Sequence, residues 1–221
     1  MSDRIYFVGD PHGYFRHFMP IVERDQPAAV VLLGDIEADR PLAEILGRWD
    51  YDPARIWIIP GNHDVDRLSL WANLSAWRQS GRDLHGQVTE VAGRRIAGLG
   101  GWFVSEIWSG WEYDECHRPA QLQLEHHVAI FPEQIKRIRR AGQADILVTH
   151  EAGSTHPLGN EALDELAAAL GVERHYHGHH HETYAQKAGQ GHMVHGVDMA
   201  AIVNDLGEIV LDGLSTPTRR T

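Results

Sequence analysis

Residues 5–13 read IYFVGDPHG, and the order of residue types in that stretch decides the fold. A strand-sized apolar run stops at glycine, and an aspartate and a histidine follow just past the stop. An apolar run reaching glycine is followed by an aspartate again at 29–37 (AVVLLGDIE), and by asparagine, histidine and aspartate at 56–64 (IWIIPGNHD). The pattern returns with variations at 145–150 (DILVTH) and 174–181 (RHYHGHHH). Between these runs lie helical patterns: an amphipathic stretch from about Phe15 to Arg24, another around Leu42–Trp49 and a longer one around Val65–Gln79. PEQIKRIRRA (132–141) carries proline near its start, and NEALDELAAAL (160–170) has Asn160 as N-cap and Gly171 as terminator. Strands alternating with helices predict an α/β fold. QVTEVAG and RRIAGLG are expected to form a hairpin turning near Gly93. MVHGVDMAAIVN and GEIVLDG are expected to close the chain as an antiparallel pair around Asn204–Gly207.

Five clusters begin where strand patterns stop: GDPHG (9–13), GDIE (34–37), GNHD (61–64), TH (149–150) and GHHH (178–181). In α/β folds, ligand sites form beyond the carboxyl ends of strands, so five such segments point at one place. Residues two apart on extended chain face the same side. On that basis Asp10 and His12 are expected to grip one cation together, and so are His179 and His181. Glycine precedes a candidate ligand at positions 9, 34, 61 and 178, where it permits close backbone approach. The donors are oxygen and nitrogen without sulfur, which suits Mn, Fe, Zn, Ni or Co better than a thiolate zinc site. Seven ligands are too many for one tetrahedral ion, so two ions bridged by a carboxylate are expected.

The rest of the composition sets bounds. The chain has 221 residues and 43% hydrophobic content, which fits one domain spanning 1–221. Its longest apolar runs are strand-sized, so no membrane span is expected. The start, MSDRIYFVGD, is not a basic segment followed by an apolar one, and there is one cysteine, Cys116. Both features give the expectation of a cytoplasmic protein. A net charge of −11 argues against wide contact with nucleic acid or anionic membranes. It leaves room for a small phosphorylated ligand, because bound cations reverse the local field.

Through these five clusters the chain resembles the calcineurin-like metallophosphoesterase superfamily, whose motifs run D-x-H, G-D, G-N-H-[DE], a lone H and G-H-x-H. All five stand here in that order, across residues 5 to about 181. The resemblance implies a four-layer α/β/β/α sandwich, two mixed sheets flanked by helices. It implies that Asp10, His12 and His181 hold one metal, that Asn62, His150 and His179 hold a second, and that Asp35 bridges them. His63 would contact the phosphate without binding metal and act as general acid. Manganese is the metal expected to serve in vitro. Two cations about 3.5–4 Å apart lower the pKa of a bridging water and clamp phosphoryl oxygens, so hydrolysis of a small phosphomonoester or phosphodiester, a nucleotide included, is the implied reaction. Some members of the superfamily lose activity and serve as protein-binding scaffolds; such a protein should show broken ligands, and here none is broken.

Several residues stay open at this level. The serine/threonine phosphatase branch carries an Asp-Arg pair after its second motif, the Asp orienting the catalytic histidine and the Arg binding phosphate. Asp39 and Arg40 fall one residue later than that pattern, and a helix-start role for Asp39 before Pro41 fits equally. Asp64 is expected to cap a helix beginning near Val65. His180 should point away from its neighbours, and His175 and His177 should sit in a strand beneath the site. The stretch 102–131 reads as irregular and aromatic-rich, with Trp108 and Trp111 as candidate walls of a substrate pocket, and 215–221 reads as a mobile tail.

Overall fold

The computed structural model describes residues 3–108 and 124–215. Trp111, Cys116 and residues 216–221 therefore lie outside the described residues.

Three apolar runs from the first half form parallel strands: β1 (Ile5–Val8), β2 (Ala29–Leu33) and β3 (Ile56–Ile59). Each run is apolar throughout because both its faces are covered. Helices α1 (Phe15–Asp25), α2 (Leu42–Leu46) and α3 (Leu68–Trp77) follow them in turn. Tyr6, Val8, Val30 and Leu32 pack outward against Phe15, Phe18, Met19 and Val22 of α1, with Leu42 and Leu46 of α2 and Leu74 of α3. The alternate residues Ile5, Phe7, Val31 and Leu33 pack inward against Ile96, Ile146, Val148 and Tyr176 of a second sheet. The period-2 alternation of strand side chains thus builds two hydrophobic layers from one sheet.

The second sheet holds β4 (Gln87–Val91), β5 (Arg94–Leu99), β6 (Ile146–Thr149), β7 (Arg174–His177), β8 (Tyr184–Lys187) and β9 (Met193–Gly196), in the order β4-β5-β6-β7-β9-β8. Here β5, β6, β7 and β9 run parallel, with antiparallel strands β4 and β8 at the edges. The β4–β5 hairpin turns at Ala92 and Gly93, both with positive φ. On the outer face, Ala97, Leu99 and Leu147 meet Ile135 and Ile138 of α5 (Pro132–Arg140) and Leu163, Leu166 and Leu170 of α6 (Glu161–Leu170). Asn160 caps α6 through its side chain, and Gly171 stops it in the left-handed conformation. The result is four layers, helices outside and two mixed sheets within. A short helix α4 (Ser105–Trp108) leads out of the second sheet's end.

One segment departs from the sequence reading. MVHGVDMAAIVN is two strands in different sheets: β9 stays in the second sheet, while β10 (Ile202–Asn204) crosses to the first and pairs with β1 and with β11 (Ile209–Leu211). The interruption falls at Asp198–Ala200, where Ala200 has φ +56. Its amide bonds back to the Gly9 carbonyl at 2.7 Å. A continuous apolar pattern carries no sign of such a sheet switch. Among the described residues no helix is long and apolar enough to cross a membrane.

Candidate metal centre

The carboxyl ends of β1, β2 and β3 in one sheet and of β6 and β7 in the other open onto the same place. Two groups of facing donor atoms form there. In the first, His12 Nε2 lies 3.1 Å from His181 Nε2, and His181 Nε2 lies 3.9 Å from Asp10 Oδ2. In the second, His150 Nε2 lies 2.8 Å from Asn62 Oδ1 and 3.2 Å from His179 Nδ1. Asp35 Oδ2 stands between them, 3.9 Å from His12 Nε2 and 3.4 Å from His150 Nε2. Donors around a single ion at about 2.0–2.2 Å stand roughly 3–3.5 Å apart, the range of three of these six separations. The seven residues read from the sequence are therefore gathered, and Asp10 also reaches the second group, its Oδ1 3.5 Å from His150 Nδ1.

The backbone that achieves this is not the extended chain inferred from the spacing. Asp10 (φ +33), His12 (φ +39), Asp35 (φ +47), Glu37 (φ +46), His179 (φ +68) and His181 (φ +50) all take left-handed values. Such values are uncommon for non-glycine residues and gather at functional sites. His179 and His181 consequently point into different donor groups rather than one. Close packing fixes the loops: a Cβ at Gly34 would meet the His150 ring, and one at Gly61 would meet the Asp35 backbone. The His12 amide donates to the Asp35 carbonyl (2.8 Å), and the His179 amide donates to Asp10 Oδ2 (2.8 Å).

Asp64 does not cap a helix. It is fully buried, and its carboxylate accepts from the Glu37 amide (2.9 Å) and the Gly61 amide (2.8 Å), joining the second and third motif loops. Burial, with the nearby Asp35 charge, pushes it up to about 7. The acidic fourth position of GNHD was the only signal of this role in the sequence.

The donor set fits divalent cations on an observation of charge. Asp10 and Asp35 are both buried, and Asp10 Oδ1 has no hydrogen-bond partner. A buried carboxylate without compensation costs several kcal/mol. Burial pushes Asp10 up to about 8, against the pull of His150. Burial also acts to raise Asp35, but His150 and the His63 amide bring it below the usual carboxylate range. His150 donates through Nδ1 to the Leu33 carbonyl (2.8 Å), which turns Nε2 to the site. Burial disfavours its charge, but Asp35 and Asp10 outweigh that and lift it to about 10. His179 is depressed to about 4 by burial and by His150, leaving a neutral imidazole able to ligate a cation. Asp35, His150 and His179 alone offer three ligand atoms mutually within 4.8 Å.

His63 stands beside these donors, its ring 5.6 Å from that of His12. Its amide donates to Asp35 Oδ1 (2.8 Å), and its Nδ1 pairs with Asp66 Oδ2 (2.8 Å). Burial works against a charge on His63, yet the Asp66 hydrogen bond and the Asp35 and Glu37 carboxylates raise it overall. The sequence reading missed Asp66; its signal was an acid three residues after the histidine, within reach on one helical turn. Asp39 holds Arg40 instead, at 3.1 and 3.0 Å, and gives α2 no side-chain cap.

The neighbouring histidines sort differently. His177 donates through Nδ1 to the Gly178 carbonyl (2.9 Å) and accepts from the Tyr184 hydroxyl (2.7 Å). His175 shares a hydrogen bond with Thr149 Oγ1 (2.6 Å), and both His175 and His177 lie buried in β7. His180 stacks on His156 at 3.7 Å, with a ring nitrogen within 4.8 Å of ligand atoms of His179 and Glu151. Trp108 donates to the Ile130 carbonyl (2.9 Å) and packs edge-on against Phe103.

A family model described as calcineurin-like phosphoesterase matches residues 3–183. A Haemophilus influenzae protein of uncharacterised role is 31% identical over 223 residues, covering 94% of this chain and 96% of that protein. Among solved structures, the TT1561 protein of Thermus thermophilus superposes with TM-score 0.63 at 14% identity, covering 96% of this chain and 99% of the other. A dimetal phosphatase from Danio rerio superposes with TM-score 0.60 at 12% identity, covering 91% of this chain and 95% of the other. At those identities the likeness is one of fold.

Proposed function

We propose that this chain, which belongs to the calcineurin-like phosphoesterase family, hydrolyses small phosphate esters with the donor groups around Asp35 holding a pair of divalent cations. The observation that carries the reading is the position of Asp35 Oδ2, within 3.9 Å of donors in both groups. Asp10, His12 and His181 complete one cation site, and Asn62, His150 and His179 the other. When bound, such a pair would supply a water of lowered pKa and neutralisation of charge on the phosphoryl oxygens.

The chain's own residues do the rest. Asp66 accepts a hydrogen bond from His63 Nδ1–H, which fixes the ring and directs Nε2 outward. From there His63 Nε2 donates a proton to the leaving oxygen as the ester bond breaks. The Asp35 carboxylate is held by the His63 amide, so the ligand and the proton donor move as one unit. Buried Asp64 keeps the loops that carry them in register.

The test is a comparison of p-nitrophenyl phosphate with bis-p-nitrophenyl phosphate on manganese-loaded protein. Turnover of either, lost on chelation and restored by metal, is the expected result. Failure to turn over both esters and any nucleotide with two ions bound per chain would overturn the reading.

A further inference from the structure

Gly13, one residue past the candidate ligand His12, begins the wall of a cavity of about 470 Å³. Helix α1 supplies Arg16 and the segment after α2 supplies Arg48 and Trp49, while Arg40 and Asp39 come from the loop that continues from Asp35. Three arginines and a single carboxylate line this space in a chain of net charge −11. Arg40 is taken up by Asp39 through both oxygens. Arg48 is close enough for its charge to help lower Asp39, yet it forms no ion pair among the described residues, and neither does Arg16. Arg16 and Arg48, both exposed, thus line the cavity without an ion pair of their own, with Asp39 the single carboxylate among the lining residues. Tyr14, at the N-terminus of α1, adds no side-chain cap, and the first turn of the helix contains no acid. The ionised lining residues carry a net positive charge, opposite in sign to that of the chain as a whole.

We propose that this cavity binds a second anionic group of the substrate, so that the preferred ester carries a phosphate or carboxylate at a distance from the phosphate that is cleaved. Guanidinium forks are the side chains best matched to such groups. The placement suits a bridging ligand: the Gly13 amide donates to the Ile36 carbonyl (3.1 Å), and the His12 amide to the Asp35 carbonyl (2.8 Å), so cavity wall and metal-centre loops are one hydrogen-bonded unit. Trp49 and Ile45 give the cavity an apolar wall, able to cover the carbon chain between the two anions. The proposal rests on the phosphoesterase reading for the first anion only.

Binding, rather than turnover, provides the test. Chelator-treated protein is titrated with methylphosphonate while arginine side-chain N–H signals are followed by NMR. The Arg16 and Arg48 signals are expected to move saturably, and that of Arg139, on α5, to stay still. On manganese-loaded protein, α,ω-alkane bisphosphonates with two to six methylenes are then compared with butylphosphonate by calorimetry. One chain length is expected to bind at least about tenfold tighter than the monophosphonate, and R16A/R48A is expected to collapse that difference. Equal affinity of mono- and bisphosphonates at every length, or an advantage that survives the double substitution, overturns the proposal. Loss of the phosphoesterase reading would appear separately, as absent ester turnover with the arginine signals still responding to the anion.

Discussion

His177 and His179 are two residues apart and belong to different regions. His177 ends β7, buried, with both ring nitrogens taken by Gly178 and Tyr184. His179 lies past Gly178 with φ +68, its Nδ1 turned to His150 and the donor cluster. The same side chain is a strand filler in one region and a candidate metal ligand in the other. The difference lies in the backbone: regular β geometry lets a ring find neutral partners, whereas left-handed loops bring rings and carboxylates together and leave Asp10 Oδ1 without a hydrogen-bond partner. The strand histidines His175, His177 and His195 are all depressed, chiefly by burial. His150 is lifted by two carboxylates despite full burial.

The largest expected effect comes from the loop side. Asp35→Ala should empty both sites, lowering metal content below one ion per chain and cutting kcat/KM by at least about 10³-fold; metal analysis and steady-state kinetics report both. If the variant kept two ions, the division into two donor groups around one carboxylate would be wrong. Next is His63→Ala, which should keep both ions and lose roughly 10²–10⁴-fold in rate, most for esters with poor leaving groups. Equal slowing of good and poor leaving groups would remove the proton-donor role. On the strand side, His177→Phe should leave metal content unchanged and lower stability by about 1–3 kcal/mol, because the Tyr184 hydroxyl loses its buried partner; denaturant unfolding with metal analysis separates the two. Loss of metal in that variant would erase the contrast between the regions.

The smallest effect concerns pH. His195, stacked on Tyr176 at 4.8 Å, is depressed to about 4, and His177 to about 3. Unfolded histidines titrate near 6.5. Between about 6.5 and those folded values the unfolded chain holds more protons, so stability is full above 6.5 and falls as pH drops through the window. His195→Phe should flatten part of that fall, measured as Tm against pH from 7 to 4. An unchanged acid slope would mean that His195 is not held neutral by burial.

Much of this contrast was legible in the sequence. Fully apolar runs ending at glycine gave the strands, because strands covered on both faces leave no polar alternation to misread. The ordered motifs pointed to the seven donors, since aspartate, asparagine and histidine gathered at strand ends have few structural uses in that combination. The alternating left-handed backbone was not legible: two-residue spacing looks the same on extended chain, and only the packing of Gly34 and Gly61 against opposing loops reveals it. Asp64 and Asp66 were hidden for a related reason. An acid near a helix start reads as a cap, and its true partners, Gly61 and Glu37 amides in one case and the His63 ring in the other, depend on how loops meet in space. The arginine cavity was invisible because Arg16 and Arg48 belong to no motif and meet Arg40 only when α1 and α2 dock on the first sheet.

The central claim is that one buried carboxylate serves two cations. Manganese titration followed by electron paramagnetic resonance tests it most directly. Two ions per chain at saturation with a spin-coupled signal, both lost in Asp35→Ala, are the predicted result. A single ion per chain, or two ions with independent signals that persist in Asp35→Ala, would contradict it.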